Sequence, residues 1–89
     1  MVSEHPIFEK YSYTDGYFAK VTTNIPARWE EKTLYRVYHF DEINRDEGFI
    51  LLKDASRNIM LQVPVSGGYT SISVDGSQSW LPFYQVWQE

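Results

Sequence analysis

A chain of 89 residues, 43% hydrophobic and 17% aromatic, describes one folded domain, and the absence of cysteine excludes both a disulfide framework and a thiolate zinc site. The formal net charge is −4 and the eight basic residues are scattered singly, so nothing in sequence order supplies the basic stripe that neutralises a phosphate backbone. No stretch approaches the ~20 apolar residues of a membrane-spanning helix, and MVSEHPIFEK lacks the basic start and apolar run of a signal peptide, so the expectation is a soluble, cytoplasmic protein.

In chain order, residues 1–12 show no period and are expected to fray, while YSYTDGY (11–17) brings tyrosines that form either a strand or a lid over the core. Tyr17 to Thr23, YFAKVTT, reads as a strand with Tyr17, Ala19 and Val21 on one side. Pro26 followed by Glu30 and Glu31 suits a short helical turn over 26–31, because Pro is pre-organised for a first helical position. Thr33 to Phe40 is the next strand, and DEINRDEG turns it back. Phe49 to Leu52 is apolar on both faces, which places its strand at the centre of a sheet or under a covering loop.

The clearest pattern follows. DASRN is a turn in which Asp54 binds its own downstream backbone and Asn58 takes a left-handed conformation. From Asn58 to Val65 the residues Ile59, Leu61, Val63 and Val65 share one face, and Ser66-Gly67-Gly68 turns the chain into a returning strand, Tyr69 to Val74, with Thr70, Ile72 and Val74 inward. Asp75-Gly76 turns again, and WLPFYQVW ends the chain as a strand. The fold class is therefore all-β: an antiparallel meander of about six strands in a single domain over 1–89, closing into a small barrel or a curled two-layer sheet.

Chemical motifs are weak by comparison. NRDEGFILLKD (44–54) fails as a calcium loop, because Ile43 and Arg45 fall where oxygen ligands belong, and it is read as a hairpin tip turned by Gly48. His5 and His39 are too far apart to show ligand spacing, so no metal site and no cofactor are expected. A small hydrolase using His39 with Asp41, or with paired acids from Glu30, Glu31, Asp54 and Asp75, is the alternative function.

The surplus of large rings favours a different reading: a non-catalytic binding or protein-interaction module with Trp29, Arg57, Tyr69, Trp80 and Tyr84 as its contact surface. Trp29 in ARWEEK serves equally as an interface anchor or as a plug for one end of a barrel. The expected partner is another protein or a second copy paired along an unfilled strand edge near Pro64 or WLPFYQVW. A glycan is a lesser alternative, single-stranded nucleic acid is disfavoured by the acidic charge, and no membrane partner is expected.

Overall fold

The computed structural model describes residues 7–76 and 78–89; His5 and the rest of residues 1–6, expected to fray, lie outside the described residues. The chain forms β1 (Glu9–Tyr13), β2 (Gly16–Lys20), β3 (Arg28–Lys32), β4 (Val37–Arg45), β5 (Phe49–Asp54), β6 (Ile59–Pro64), β7 (Gly68–Ser73) and β8 (Leu81–Gln88). Each strand pairs antiparallel with the next, and β8 returns to β1, so the sheet is a closed barrel in sequence order.

Local chemistry explains most of the hairpins. Asp46 accepts hydrogen bonds from the backbone N–H of Gly48 and Phe49, both at 2.8 Å, which turns β4 into β5. Asp54 does the same for Ser56 at 3.0 Å, and Asn58 closes that turn at φ 54°. Gly16 is required by contact: a Cβ there would stand 2.1 Å from the Lys32 carbonyl oxygen and 2.9 Å from the Tyr13 hydroxyl.

Inward positions follow from the register. Tyr11 lies opposite Phe18, Phe18 opposite Glu31, and Trp29 opposite Phe40, while Ile50 and Leu52 face Val63 and Leu61 across β5 and β6. Tyr11, Phe18, Trp29, Ile50, Leu52, Leu61 and Val63 are fully buried, so side chains fill the lumen, as the width of an eight-stranded barrel allows.

Several expectations need correction. The strands beyond the expected six are β1, which starts inside the stretch expected to fray and ends in the tyrosines read as a strand or a lid, and β3, which replaces the helical turn over 26–31. In β3 Trp29 and Glu31 point in while Arg28, Glu30 and Lys32 point out, a period of two that a helix cannot give. Thr33–Arg36 is the hairpin turn, where Thr33 Oγ1 accepts from the Arg36 N–H at 3.0 Å, and β4 continues through Arg45. On β2 the inward ring is Phe18, one residue out of phase with the face defined by Tyr17, Ala19 and Val21. Val74 lies beyond the end of β7 and is exposed.

Closure gives β6 partners in β5 and β7 and gives β8 partners in β7 and β1, with β8 meeting β1 at Trp87 and Gln88.

Candidate functional site

On the outer surface of β7 and β8, Tyr69, Thr70, Ser71, Trp80, Leu81 and Pro82 line an open groove of about 590 Å³. That lies within the range of ligand sites, roughly 300–1,000 Å³. A β-bulge shapes it. Tyr69 pairs with Gln85 but Ser71 pairs with Pro82, so β8 carries an extra residue, and Thr70 Oγ1 fills the disturbed ladder by accepting from the Tyr84 N–H at 3.0 Å and donating to the Tyr84 carbonyl at 2.9 Å. Phe83 and Tyr84 both turn partly toward the core at that point, so the simple alternation expected of WLPFYQVW is broken.

The loop delivering Trp80 is folded around Asp75. Its carboxylate accepts from Ser73 Oγ at 2.9 Å, the Gln78 N–H at 3.1 Å, and the Ser79 N–H and Oγ at 3.0 and 2.5 Å. These bonds, led by the Ser79 hydroxyl, hold the Asp75 carboxyl at about 2, well below its ordinary value. Tyr69 is 63% exposed and Leu81 62%. Among the described residues, neither the Tyr69 hydroxyl nor the Trp80 indole N–H makes a hydrogen bond, so two donors stand free beside a groove with no charged lining residue.

Tyr69 and Trp80, two of the five contact residues expected from sequence, thus meet in one groove. The other three lie elsewhere. Trp29 has no exposed surface and donates its indole N–H to Glu42 Oε1 at 2.9 Å, so it plugs the barrel and cannot be a contact residue. Tyr84 stacks on Tyr13 with ring centroids 4.1 Å apart and planes 8° from parallel, which commits its face to the barrel interior. Arg57 lies over the Tyr38 ring, 3.9 Å from its centroid, and binds Asp54 Oδ2 at 2.5 Å.

A second polar cluster sits inside the barrel at the end where β1 turns into β2. Glu31 is 4% exposed and accepts a 2.6 Å hydrogen bond from the Tyr13 hydroxyl. Burial raises the Glu31 carboxyl above its ordinary value, against the lowering effects of Tyr13 and Arg57. The Tyr13 hydroxyl is pushed up as well, first by burial and then by Glu31. Of the four candidate acids Glu30, Glu31, Asp54 and Asp75, Glu30 and Glu31 are neighbours on one strand and point to opposite faces, which separates them.

The alternative catalytic arrangement is not assembled as expected. His39 is on the outer surface, its Nε2 3.4 Å from Glu30 Oε2 across the β3–β4 pair, while Asp41 pairs with Arg28 at 3.5 Å. His39 and Asp41 do share a polar pocket of about 220 Å³ with Asp54 and Ser56, but Asp54 is engaged by Ser56 Oγ at 2.6 Å and by Arg57. Among the described residues, no group of three or more His, Asp or Glu side chains is placed to hold a metal ion. No protein-family model, curated protein or solved structure matches the chain.

Proposed function

We propose that the protein is a non-catalytic binding module whose contact surface is the β7–β8 groove. The observation that carries this reading is the convergence of Tyr69 and Trp80, with their polar tips unbonded, on one uncharged concavity. A ring with an apolar face and an unused donor favours contact with a ligand that covers the face and accepts from the donor. The rest of the barrel offers less: its lumen is filled, and the carboxylates of the His39 pocket are already paired.

The test is a ¹⁵N NMR screen with uncharged peptides, neutral oligosaccharides and small aromatic fragments, repeated with Tyr69→Ala and Trp80→Ala. The expected result is saturable movement of the amides of residues 69–71 and 80–81 and of the Trp80 indole, weakened in both variants. Ligand-induced movement confined to the Glu31 end of the barrel, or binding unaffected by both substitutions, rejects the reading.

A further inference from the structure

We infer that the occupant of the β7–β8 groove is a proline-rich peptide in the extended polyproline conformation; this rests on the groove being the binding surface. The first argument is charge. Tyr69, Thr70, Ser71, Trp80, Leu81 and Pro82 bring no ionised group to the groove, in a chain whose net charge of −4 disfavours an anionic ligand. An ionic partner would lose hydration there and recover nothing for it.

The second argument is the sense of the hydrogen bonds. The free groups at the rim are a Tyr hydroxyl and an indole N–H, and an indole can only donate. No Asp, Glu, Asn or Gln lines the groove to accept from the many hydroxyls of a sugar. A run of prolines has the opposite inventory: it displays carbonyls and has no N–H to satisfy.

The third argument comes from topology. Under the groove β7 and β8 are laddered to each other, with Ser71 on Pro82 and Ile72 on Leu81, so a peptide seated there lies across a filled ladder and does not join the sheet as another strand. It must be held by side-chain faces, and ring-lined grooves are the surfaces that take polyproline helices. Such a helix is already ordered before binding, which suits a shallow site with little surface to offset ordering costs.

Dimensions agree. Ser71 pairs with Pro82 on β8, so Tyr69 and Trp80 stand about four strand positions apart, roughly 13 Å at the usual rise. About four polyproline residues at ~3.1 Å each cover that span.

The experiment uses the full chain, ¹⁵N-labelled, titrated with acetylated and amidated decaproline, with a Gly-Ser decamer as control and cellohexaose as a separate arm. Decaproline is expected to shift the Trp80 indole and residues 69–71 saturably while the control does not. Trp80→Ala should weaken binding by about tenfold or more, and Tyr69→Phe, which removes only a hydroxyl and spares folding, by about three- to tenfold. Arg57→Ala, at a side chain engaged with Tyr38 and Asp54 that does not line the groove, should leave the affinity unchanged. If cellohexaose moves these resonances and decaproline does not, the peptide inference is overturned while the groove reading stands. Decaproline binding that maps to the Glu31 end, or is insensitive to Tyr69→Phe and Trp80→Ala together, overturns both. Movement by neither probe overturns the peptide inference.

Discussion

At the end of the barrel where β1 begins, four charged side chains meet. Arg45 donates to Glu9 and to Glu42, and Lys20 approaches the same two acids at 3.6 and 3.7 Å. At the opposite end a single buried carboxyl, Glu31, meets rings: Tyr13 bonds to it and Tyr84 stacks on Tyr13. Two inward glutamates of one barrel are consequently displaced in opposite directions. Burial alone would raise both, but at Glu42 the hydrogen bonds from Arg45 and Trp29 outweigh it and the carboxyl falls below its ordinary value, whereas at Glu31 burial wins. The number of donors facing a buried acid, and their charge, decides the sign.

The largest way to break this contrast is Trp29→Ala. It removes the fully buried indole and one of the donors that Glu42 shares with Arg45, and should cost about 3–5 kcal/mol in denaturant unfolding. Next is Gly16→Ala at the ring end, where the added methyl runs into the Lys32 carbonyl; a loss of roughly 1–3 kcal/mol in the same measurement is expected.

Arg45→Met should cost about 1–2 kcal/mol at pH 7, a figure reduced from that of a dry ion pair because the Arg45 side chain keeps 32% of its surface. The lowered Glu42 contributes stability that is present above its ordinary value of 4.5 and is lost as pH falls through its folded value. The gap between wild type and Arg45→Met should therefore narrow on acidification, as followed by thermal unfolding.

The smallest effect has the opposite sign. Glu31 ionises reluctantly in the folded state, so its contribution becomes unfavourable as pH rises from 4.5 through its raised folded value. Glu31→Gln keeps an acceptor for Tyr13 and should gain about 0–1 kcal/mol at pH 7, with the difference vanishing below about pH 4. A loss of stability at pH 7 that persists in acid would show that the carboxylate holds the ring end by bonding that Gln cannot replace.

Legibility in the sequence followed the sign of the inward residues. The β6–β7 hairpin was readable because Ile59, Leu61, Val63 and Val65 alternate with solvent-facing residues, and the turns at Asp54 and Asn58 act within a few residues. RWEEK was misread because its inward position after Trp29 is an acid, and a run of charged helix formers carries no apolar period. The tail of β4 failed for the same reason: Glu42 and Arg45 enter the ion cluster, so the strand runs on where charge suggested a turn.

The candidate site was half legible. Tyr69 and Trp80 stood out as rings beyond the needs of the core, but they lie on opposite sides of a loop whose path depends on Asp75 and on a bulge that shifts the pairing of β8. Tyr84, two residues beyond Pro82, was carried inward by that bulge. Asp75 reads from sequence as the start of a turn; the hydroxyls and amides of Ser73, Gln78 and Ser79 that it gathers lie within four residues of it and are a usable signal.

The sequence by itself determined the class of structure, the order of the antiparallel strands and the turns joining most of them, because alternation and turn chemistry act between near neighbours. Tertiary structure decided the closure of β8 on β1, the burial of Trp29, and which charges were admitted to the lumen. A buried charge is tolerated only with a partner, and the partners come from far along the chain: Arg45 meets Glu9 across 36 residues and Glu31 meets Tyr13 across 18. Periodicity holds no record of such pairings, since each becomes favourable only once the barrel has closed around it.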